Sequence, residues 1–366
     1  MRREQRPRVL LEVILRNTPR RMRADAVLIC LVLVAAALLQ QLCGGGDSFM
    51  RLLTDTPAAE VTPRETVADA AQAQMAHEAL EPELSCEGMP ETGEPVRFAM
   101  QNVQNYFVAG EQQRSRYMLT PKSAAAREAV AEGLARVKPD IIGLVEIGGP
   151  VSLQDLRARL EQRGLSYPYY RVLVRQGEDR ALGLLSRYPI VADASAAQVP
   201  LFGTGRRMML RGVLDVTVRT EDGRLFRFMG AHLKSRVADD PAAAKSLREK
   251  EAHTLAARLQ TEMRRNRRMP VLVFGDWNDT PDDTAVRLMV QGLSKDAAMK
   301  RLEPRDPHGE EWTHYYGRAK SYLVFDHLFV NSVLHRRMGG RKLSCGIAEP
   351  AAPKGSDHRV LWCNLR

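Results

Sequence analysis

The feature that most constrains this chain is a series of short apolar runs, each followed by a polar residue. The runs are Phe98–Met100 before Asn102, Ile141–Val145 before Glu146, Leu225–Ala231 before His232, Val271–Phe274 before Asp276, and Tyr322–Phe325 before Asp326. Apolar runs of this length that end at polar or glycine residues predict buried β-strands. The sequence therefore predicts sheets whose strand ends carry carboxylate, amide and imidazole side chains.

The run Val271–Phe274 leads through Gly275 into the sequence DWNDTP. Because side chains alternate along an extended chain, Asp276 and Asn278 are expected to face one side while Trp277 faces the other. A carboxylate beside an amide can hold a water, a metal shell or a phosphate oxygen, as hydrolysis of a phosphate ester requires. A simple turn after the strand is the alternative, because Asp, Asn, Gly and Pro are also common turn residues.

Amphipathic helices are predicted between the strands from residue 96 onward. One is expected to begin at Thr120-Pro121, a second at Ser152, and a long third helix is expected over Pro241–Arg265. Helices interleaved with pairs of strands predict an α/β fold in which helices cover the outer faces of two packed sheets.

Residues 24–43 are predicted to form an N-terminal hydrophobic helix that crosses the membrane. The segment Ala26–Leu42 contains no charged residue, and three arginines lie within residues 20–23. Because a positive flank stays in the cytoplasm, we interpret the segment as a signal anchor in the cell membrane that leaves residues 96–366 outside the cytoplasm. A signal peptide cleaved near Cys43, which would give a secreted protein, is the alternative.

Charge divides the chain into parts of opposite sign. The formal net charge of +10 consists of +5 over residues 1–43, −9 over residues 44–95 and +14 over residues 96–366. Residues 1–23 are a basic N-terminal segment, and the acidic residues 44–95, which have few aromatics, are predicted to be a linker. The basic domain suits an anionic substrate such as nucleic acid, or a position beside an anionic membrane.

The five cysteines show no metal-ligand spacing. If the domain is exported, Cys345 and Cys363 are candidates for a disulfide, which would leave Cys86 unpaired.

Seven motifs extend across about residues 96–366, and they are QNVQNYF, GLVEI, LLSRYPI, GAHLKSR, VFGDWNDTP, FDHLFVNS and GSDHRV. In these motifs and their order the sequence resembles the endonuclease/exonuclease/phosphatase superfamily. The resemblance implies a four-layer α/β sandwich of two packed mixed β-sheets flanked by helices, with the site at one end of both sheets. It also implies a hydrolase of phosphate esters that uses Mg²⁺ or Mn²⁺.

The resemblance places the metal at Glu146, Asn102 and Asp357. Glu146 closes a very apolar strand, where an unpaired carboxylate is costly unless it meets a cation or a good donor. Hard oxygen ligands suit Mg²⁺. A glutamate that simply reaches solvent beyond the strand is the alternative.

Five residues carry catalysis in the resemblance. Asp276 and Asn278 position the attacking water and a phosphate oxygen, and His232 binds phosphate or protonates the leaving group. His358 contacts the scissile phosphate. We expect Asp326 to hydrogen-bond His358, which fixes its tautomer and raises its pKa. Whether Asp276 or His358 activates the water stays open.

Further substrate contacts are predicted from basic and aromatic residues. Lys234, Arg236 and Arg187 are candidate phosphate ligands. The superfamily often has Tyr where this chain has His327, and we expect the difference to be tolerated. An aromatic rim for stacking of a base or head group is expected from Phe202, Trp312 and His314.

The sequence therefore favours a metal-dependent nuclease that is membrane-anchored or otherwise outside the cytoplasm. A sphingomyelinase-like phospholipase or a phosphatase acting on phosphorylated lipid head groups is the alternative, because the same residues serve that chemistry. A non-catalytic binding module is disfavoured, since every motif position holds a chemically competent residue.

Overall fold

The computed structural model describes residues 84, 86, 88–116, 118–203, 207–339, 344–349 and 355–366. The strands are β1 Val96–Tyr106, β2 Ile141–Ile147, β3 Tyr169–Arg175, β4 Glu178–Ser186, β5 Ile190–Asp193, β6 Leu214–Arg219, β7 Leu225–His232, β8 Val271–Asp276, β9 Lys300–Arg301, β10 His314–Tyr316, β11 Ser321–Leu323, β12 Asp326–Val330, β13 Cys345–Ile347 and β14 Leu361–Leu365. The helices are α1 Ala124–Arg136, α2 Pro150–Glu161, α3 Pro241–Arg265, α4 Thr284–Gln291 and α5 Ser332–Arg337.

Within these ranges, no helix has both the length and the apolar character that crossing a bilayer requires. The predicted transmembrane segment 24–43 and residues 44–83 of the predicted linker lie outside the described residues.

The strands form two six-stranded sheets and one hairpin. The first sheet has the order β13-β14-β1-β2-β4-β3, the second has the order β5-β6-β7-β8-β12-β9, and β10 pairs with β11. The pairs β1–β2 and β7–β8 are parallel and the other described pairs are antiparallel, so both large sheets are mixed.

Aromatic side chains fill the space between the two sheets. The Phe98 ring lies 5.2 Å from that of Phe228 and 5.3 Å from that of Phe274, measured between centroids. A Cβ at Gly143 would lie 2.4 Å from the Phe274 ring, and one at Gly230 would lie 2.7 Å from it. The two glycines therefore provide the space that lets Phe274 pack between the sheets.

Helices cover the outer faces of both sheets. Leu134 of α1 and Leu156 of α2 belong to the apolar cluster on the first sheet, and Leu255 of α3 and Val286 of α4 belong to the cluster on the second. Trp277 lies in this second cluster and Phe274 lies between the sheets, as the predicted alternation requires. The predicted four-layer sandwich is thus confirmed.

Two helix boundaries differ from prediction. Helix α1 begins at Ala124, because the Ser123 side chain, not Thr120, accepts the capping hydrogen bond from Ala126 N. Helix α2 begins at Pro150, so Ser152 lies inside it. The long helix α3 has the predicted bounds.

The end of the predicted linker packs on the domain. Arg224 donates a 2.6 Å hydrogen bond to Glu94 O, and Asn266 Nδ2 donates to Leu84 O at 3.1 Å. Met89 packs against the outer apolar cluster of the second sheet. The domain therefore begins before residue 96.

Cys345 and Cys363 are directly opposite each other on the neighbouring strands β13 and β14, and both are free thiols.

Candidate active site

Polar side chains from both sheets meet at one end of the sandwich. Glu146 lies near the carboxyl end of β2, while His232 and Asp276 end the parallel neighbours β7 and β8. His232 Nε2 lies 3.7 Å from Glu146 Oε1 and 3.7 Å from Asp276 Oδ2. The carboxyl ends of the two parallel strand pairs therefore form one site.

Strained backbone turns position the residues at this end. Glu146 has a φ of +64° and Asn278 a φ of +51°, a left-handed conformation that is uncommon for residues other than glycine. Asn105, with a φ of +51°, donates its backbone N–H to Glu146 Oε2 at 2.9 Å. The loop after β1 thus holds the glutamate at the end of β2.

Hydrogen bonds orient both oxygens of Asp276. Asn102 Nδ2 donates to Oδ2 at 3.0 Å, and the backbone N–H of Asn278 donates to Oδ1 at 2.8 Å. Asp276 is buried, and this burial, together with the nearby Asp326 carboxylate, raises its pKa. A cation beside the carboxylate would stabilise its charged form.

Asp326 and His358 form a buried pair. His358 Nδ1 lies 2.7 Å from Asp326 Oδ2, and its Nε2 lies 3.9 Å from Asp276 Oδ2. Burial by itself would lower the pKa of His358, but the Asp326, Asp276 and Asp357 carboxylates outweigh it and raise that pKa. His358 is therefore a positively charged group at the edge of the site.

His232 differs from His358 in charge. Burial, followed by the positive charge of Arg211, holds the pKa of His232 well below its ordinary value. A neutral imidazole can donate one hydrogen bond through Nε2 to the carboxylates beside it. Among the described residues, its Nδ1 has no hydrogen-bond partner.

Of the three residues predicted to bind phosphate, Lys234 is the one that forms no ion pair with a carboxylate among the described residues. Its Nζ approaches the backbone O of Val237 at 3.5 Å, while its backbone N–H donates to Glu251. The side chain is half-buried and extends from the segment after His232.

The guanidinium groups of Arg236 and Arg187 are both paired with protein carboxylates. Arg236 donates to Asn278 O at 2.8 Å and pairs with Asp279 and Asp283, so its guanidinium braces the loop after β8. Arg187 donates to Asp140 at 2.8 Å, at the amino end of β2 and therefore at the opposite end of the sheet from Glu146.

Three neighbours of the site were not among the predicted phosphate or metal ligands. Arg180 Nε lies 3.7 Å from Glu146 Oε2, and Lys122 Nζ donates to Gln104 O at 2.9 Å, where it is close enough to Glu146 and Asp357 to interact with their charges. His314, predicted only as part of an aromatic rim, has its Nε2 3.6 Å from Asp357 Oδ2. In the sequence, Lys122 follows Thr120-Pro121, which indicated the start of a helix. Nothing in that pattern pointed to a place for Lys122 beside the site.

His327, which stands where the superfamily often has Tyr, has a structural role. His327 is buried, and its Nε2 lies 2.9 Å from Asp279 O. Burial lowers the pKa of His327 to about 4. The ring therefore braces the loop after β8 as a neutral group.

The residues fit a hard divalent cation. Carboxylates of Glu146, Asp276, Asp326 and Asp357 surround the site, and Asp326 Oδ1 and Asp357 Oδ1 are buried without a hydrogen-bond partner among the described residues. Oxygen donors of this kind suit Mg²⁺ or Mn²⁺. The Asn102 amide is engaged with Asp276 and with Gln104 N, so it orients a carboxylate beside the cation.

Comparisons with known proteins agree with this geometry. The model of the Endonuclease/Exonuclease/phosphatase family matches residues 102–358. No curated protein is similar enough in sequence to count as a match.

Solved structures share the fold at low sequence identity. An endonuclease/exonuclease/phosphatase from Bacteroides vulgatus has 17% identity and a TM-score of 0.53, over 75% of this chain and 99% of that chain. D. rerio TDP2, solved with a single-strand DNA product, has 18% identity and a TM-score of 0.50, over 75% and 100%. Beta toxin from Staphylococcus aureus has 12% identity and a TM-score of 0.51, over 73% and 99%.

Proposed function

Because the chain belongs to the endonuclease/exonuclease/phosphatase family, whose members hydrolyse phosphodiester bonds, we propose that it is a metal-dependent nuclease that acts outside the cytoplasm. The observation that carries the proposal is the meeting of Glu146, Asp276 and His358 at one end of both sheets. Glu146 and His358 are 212 positions apart in the chain. Because burying charged groups together is costly, their meeting at one place indicates a functional site.

The side chains divide the work of hydrolysis between them. Asp276, held by Asn102 and Asn278, faces the site with an oriented carboxylate that can align the attacking water and accept its proton. His358, kept positive by Asp326, stabilises the charge that develops on the phosphate oxygens. Neutral His232 holds its Nε2 3.7 Å from both Glu146 Oε1 and Asp276 Oδ2, where it can bind a phosphate oxygen or protonate the leaving group.

A divalent ion held by Glu146 and its neighbouring carboxylates would neutralise phosphate charge and lower the pKa of a bound water. Asn102 and the Asn105 N–H orient those carboxylates before any ion arrives. We propose Mg²⁺ as the ion, since the donors are oxygens.

Nucleic acid is the substrate class that the charge pattern favours. Residues 96–366 carry a net charge of +14, and Arg180, Lys122 and Lys234 lie around the site. A polyanion can contact several of these basic side chains at once along its backbone, whereas a single lipid head group can contact only a few. The TDP2 structure with DNA product is a fold relative that binds the same kind of ligand.

The location outside the cytoplasm rests on the sequence alone. The arginines within residues 20–23 followed by the uncharged segment Ala26–Leu42 support an anchored domain on the far side of the membrane.

A substrate panel tests this function. The full chain in detergent with Mg²⁺ should cleave plasmid DNA or RNA faster than sphingomyelin or a phosphorylated lipid. Asp276→Ala and His358→Ala should lose turnover by at least a hundredfold and stay folded, while Arg187→Ala, at the far end of the sheet, should keep it. Faster cleavage of the lipids would refute the nuclease function and favour a lipid phosphoesterase. Full turnover in Asp276→Ala would refute the proposed mechanism.

Arg180→Ala tests the substrate contact beside Glu146. Because Arg180 is one-third exposed, we expect KM for DNA to rise severalfold with a smaller change in kcat. An unchanged KM would exclude Arg180 from substrate binding.

A further inference from the structure

Two histidines and an aspartate form a cluster at the rim of the site, on the side of the β10–β11 hairpin. We propose that His314, Asp357 and His358 form a second metal site, which takes a transition-metal dication with Zn²⁺-like preferences, lies beside the oxygen-lined centre at Glu146 and shares the Asp357 carboxylate with it. The ligand atoms that these three residues offer all lie within 4.8 Å of one another.

The distances suit a small tetrahedral ion. His314 Nε2 is 3.6 Å from Asp357 Oδ2, and His358 Nε2 is 3.8 Å from Asp357 Oδ1. Zinc bonds to nitrogen and oxygen of about 2.0–2.1 Å at tetrahedral angles separate neighbouring ligand atoms by about 3.4 Å. Small side-chain movements would therefore bring the three ligand atoms to bonding distance of one ion, and the half-buried Asp357 leaves a fourth position open.

The cluster is held in place by main-chain and ring contacts. His314 and His358 form an isolated antiparallel bridge, and Tyr315 N donates to Asp357 O at 2.9 Å. The His314 ring lies 4.4 Å from that of His358 and stacks on Phe325 at 5.4 Å. Little reordering of side chains would accompany metal binding, because the rings are already packed.

Asp326 prepares His358 as a ligand. It accepts the hydrogen bond of Nδ1, which directs Nε2 toward Asp357. A carboxylate behind a ligating imidazole is the usual arrangement at zinc sites, since it fixes the tautomer and strengthens the ligand. His314 Nδ1 and Asp357 Oδ1 are buried and have no hydrogen-bond partner in the described part of the chain.

Ligand type separates the two sites. Two imidazole nitrogens with one carboxylate favour Zn²⁺ or Co²⁺ over Mg²⁺, whereas the centre at Glu146 offers oxygens. The consequence for catalysis rests on the proposed function: an ion on His358 Nε2 replaces the proton of that nitrogen, which is released to solvent, so His358 no longer offers a charged N–H to the phosphate. We therefore expect Zn²⁺ to inhibit hydrolysis that Mg²⁺ supports.

Co²⁺ absorption tests the site without any turnover. The full chain in detergent is titrated with Co²⁺ in the presence of excess Mg²⁺, and the visible bands of four-coordinate Co²⁺ are recorded. We compare the wild type with His314→Phe, which retains the ring stack but removes the ligand, and with His308→Phe, the same exchange at an exposed histidine. Bands should appear in the wild type and in His308→Phe, disappear when one equivalent of Zn²⁺ is added, and be at least tenfold weaker in His314→Phe.

A second variant and a turnover assay complete the test. Asp357→Asn should also weaken the bands, which guards against a folding defect in His314→Phe; circular dichroism checks both. Absence of bands in the wild type, or bands that survive in both variants, would overturn the second site. Loss of the bands in Glu146→Gln alone would assign the ion to the other centre and also overturn it. Zn²⁺ inhibition should weaken at least tenfold in His314→Phe; if no substrate is cleaved at all, the proposed function fails while the absorption result still decides the metal site.

Discussion

Replacing Asp326 by Asn removes one charge from the buried pair that holds His358. Asp326 Oδ2 lies 2.7 Å from His358 Nδ1, both side chains are buried, and the backbone N–H of Asp326 donates to Thr313 Oγ1. Asn has nearly the same shape, so the packing around position 326 is retained. What changes is the charge behind the imidazole.

The expected loss follows from the strength of that contact. A hydrogen bond to a charged group contributes about 1.5–3 kcal/mol, and each 1.4 kcal/mol changes a rate by about tenfold. If His358 stabilises the transition state as a cation, Asp326→Asn should lower kcat by about 10- to 150-fold. The pKa of His358 should also fall, because the Asp326 carboxylate contributes most to raising it. The alkaline limb of the pH–activity profile should therefore move to lower pH.

Steady-state hydrolysis of DNA with Mg²⁺ across a pH series measures both effects. Asp140→Asn is the matched control, since Asp140 pairs with Arg187 at the far end of the sheet. We expect the control to retain wild-type turnover. A kcat for Asp326→Asn within threefold of wild type, with an unmoved alkaline limb, would refute the role assigned to the pair.

Further predictions concern the core, the thiols and the metal. Phe274→Ala should lower the free energy of unfolding by about 3–5 kcal/mol in urea denaturation, since the ring fills the space between the sheets, whereas the exposed Phe202→Ala should change it by less than about 0.5 kcal/mol; equal losses would contradict the packing argument. Cys345 and Cys363 are free thiols that lie opposite each other in β13 and β14. If the domain lies in an oxidising compartment outside the cytoplasm, as we propose, non-reducing peptide mass spectrometry of protein isolated from cells should find them joined in a disulfide; two free thiols would count against that location. Dialysis against EDTA should abolish DNA cleavage and added Mg²⁺ should restore it; cleavage that persists without metal would remove the proposed cofactor.

Local sequence signals predicted the layers of the fold well. Helix α3 has the predicted bounds because Asp240 caps it, accepting from Ala243 N, and Pro241 occupies its first turn. Four of the five apolar runs lie in the central strands β1, β2, β7 and β8. The prediction for Tyr322–Phe325 is wrong, because β11 ends at Leu323 in the hairpin, Tyr322 is exposed, and Asp326 begins β12. Trp277 and Phe274 lie on opposite faces of the second sheet, as alternation requires.

Strand direction could not be predicted from the residues, and this explains why the sequence pointed to Arg187 and not to Arg180. Strand β4 runs antiparallel to β2, with Ser186 opposite Ile141 and Ala181 opposite Ile147. The residue after the strand, Arg187, is therefore carried away from the site, while Arg180 at its start lies beside Glu146. A motif read along one strand does not reveal which end of it faces the substrate.

Ion pairs between residues that are distant in the sequence could not be predicted either. Arg236 follows His232 at a spacing that suggests a phosphate ligand, yet Asp279 and Asp283 occupy its guanidinium. Likewise, the contact of His314 with Asp357 depends on the hairpin docking against the last loop, which no local pattern indicates.

Anomalous diffraction from crystals soaked in Mn²⁺ tests the central claim, that side chains from both sheets gather around one hard cation. We predict one strong manganese peak with Glu146 among its ligands and Asp276 beside it, and loss of that peak in Glu146→Gln. Crystals that show no manganese at this end of the sandwich, or a peak that persists in Glu146→Gln, would contradict the account.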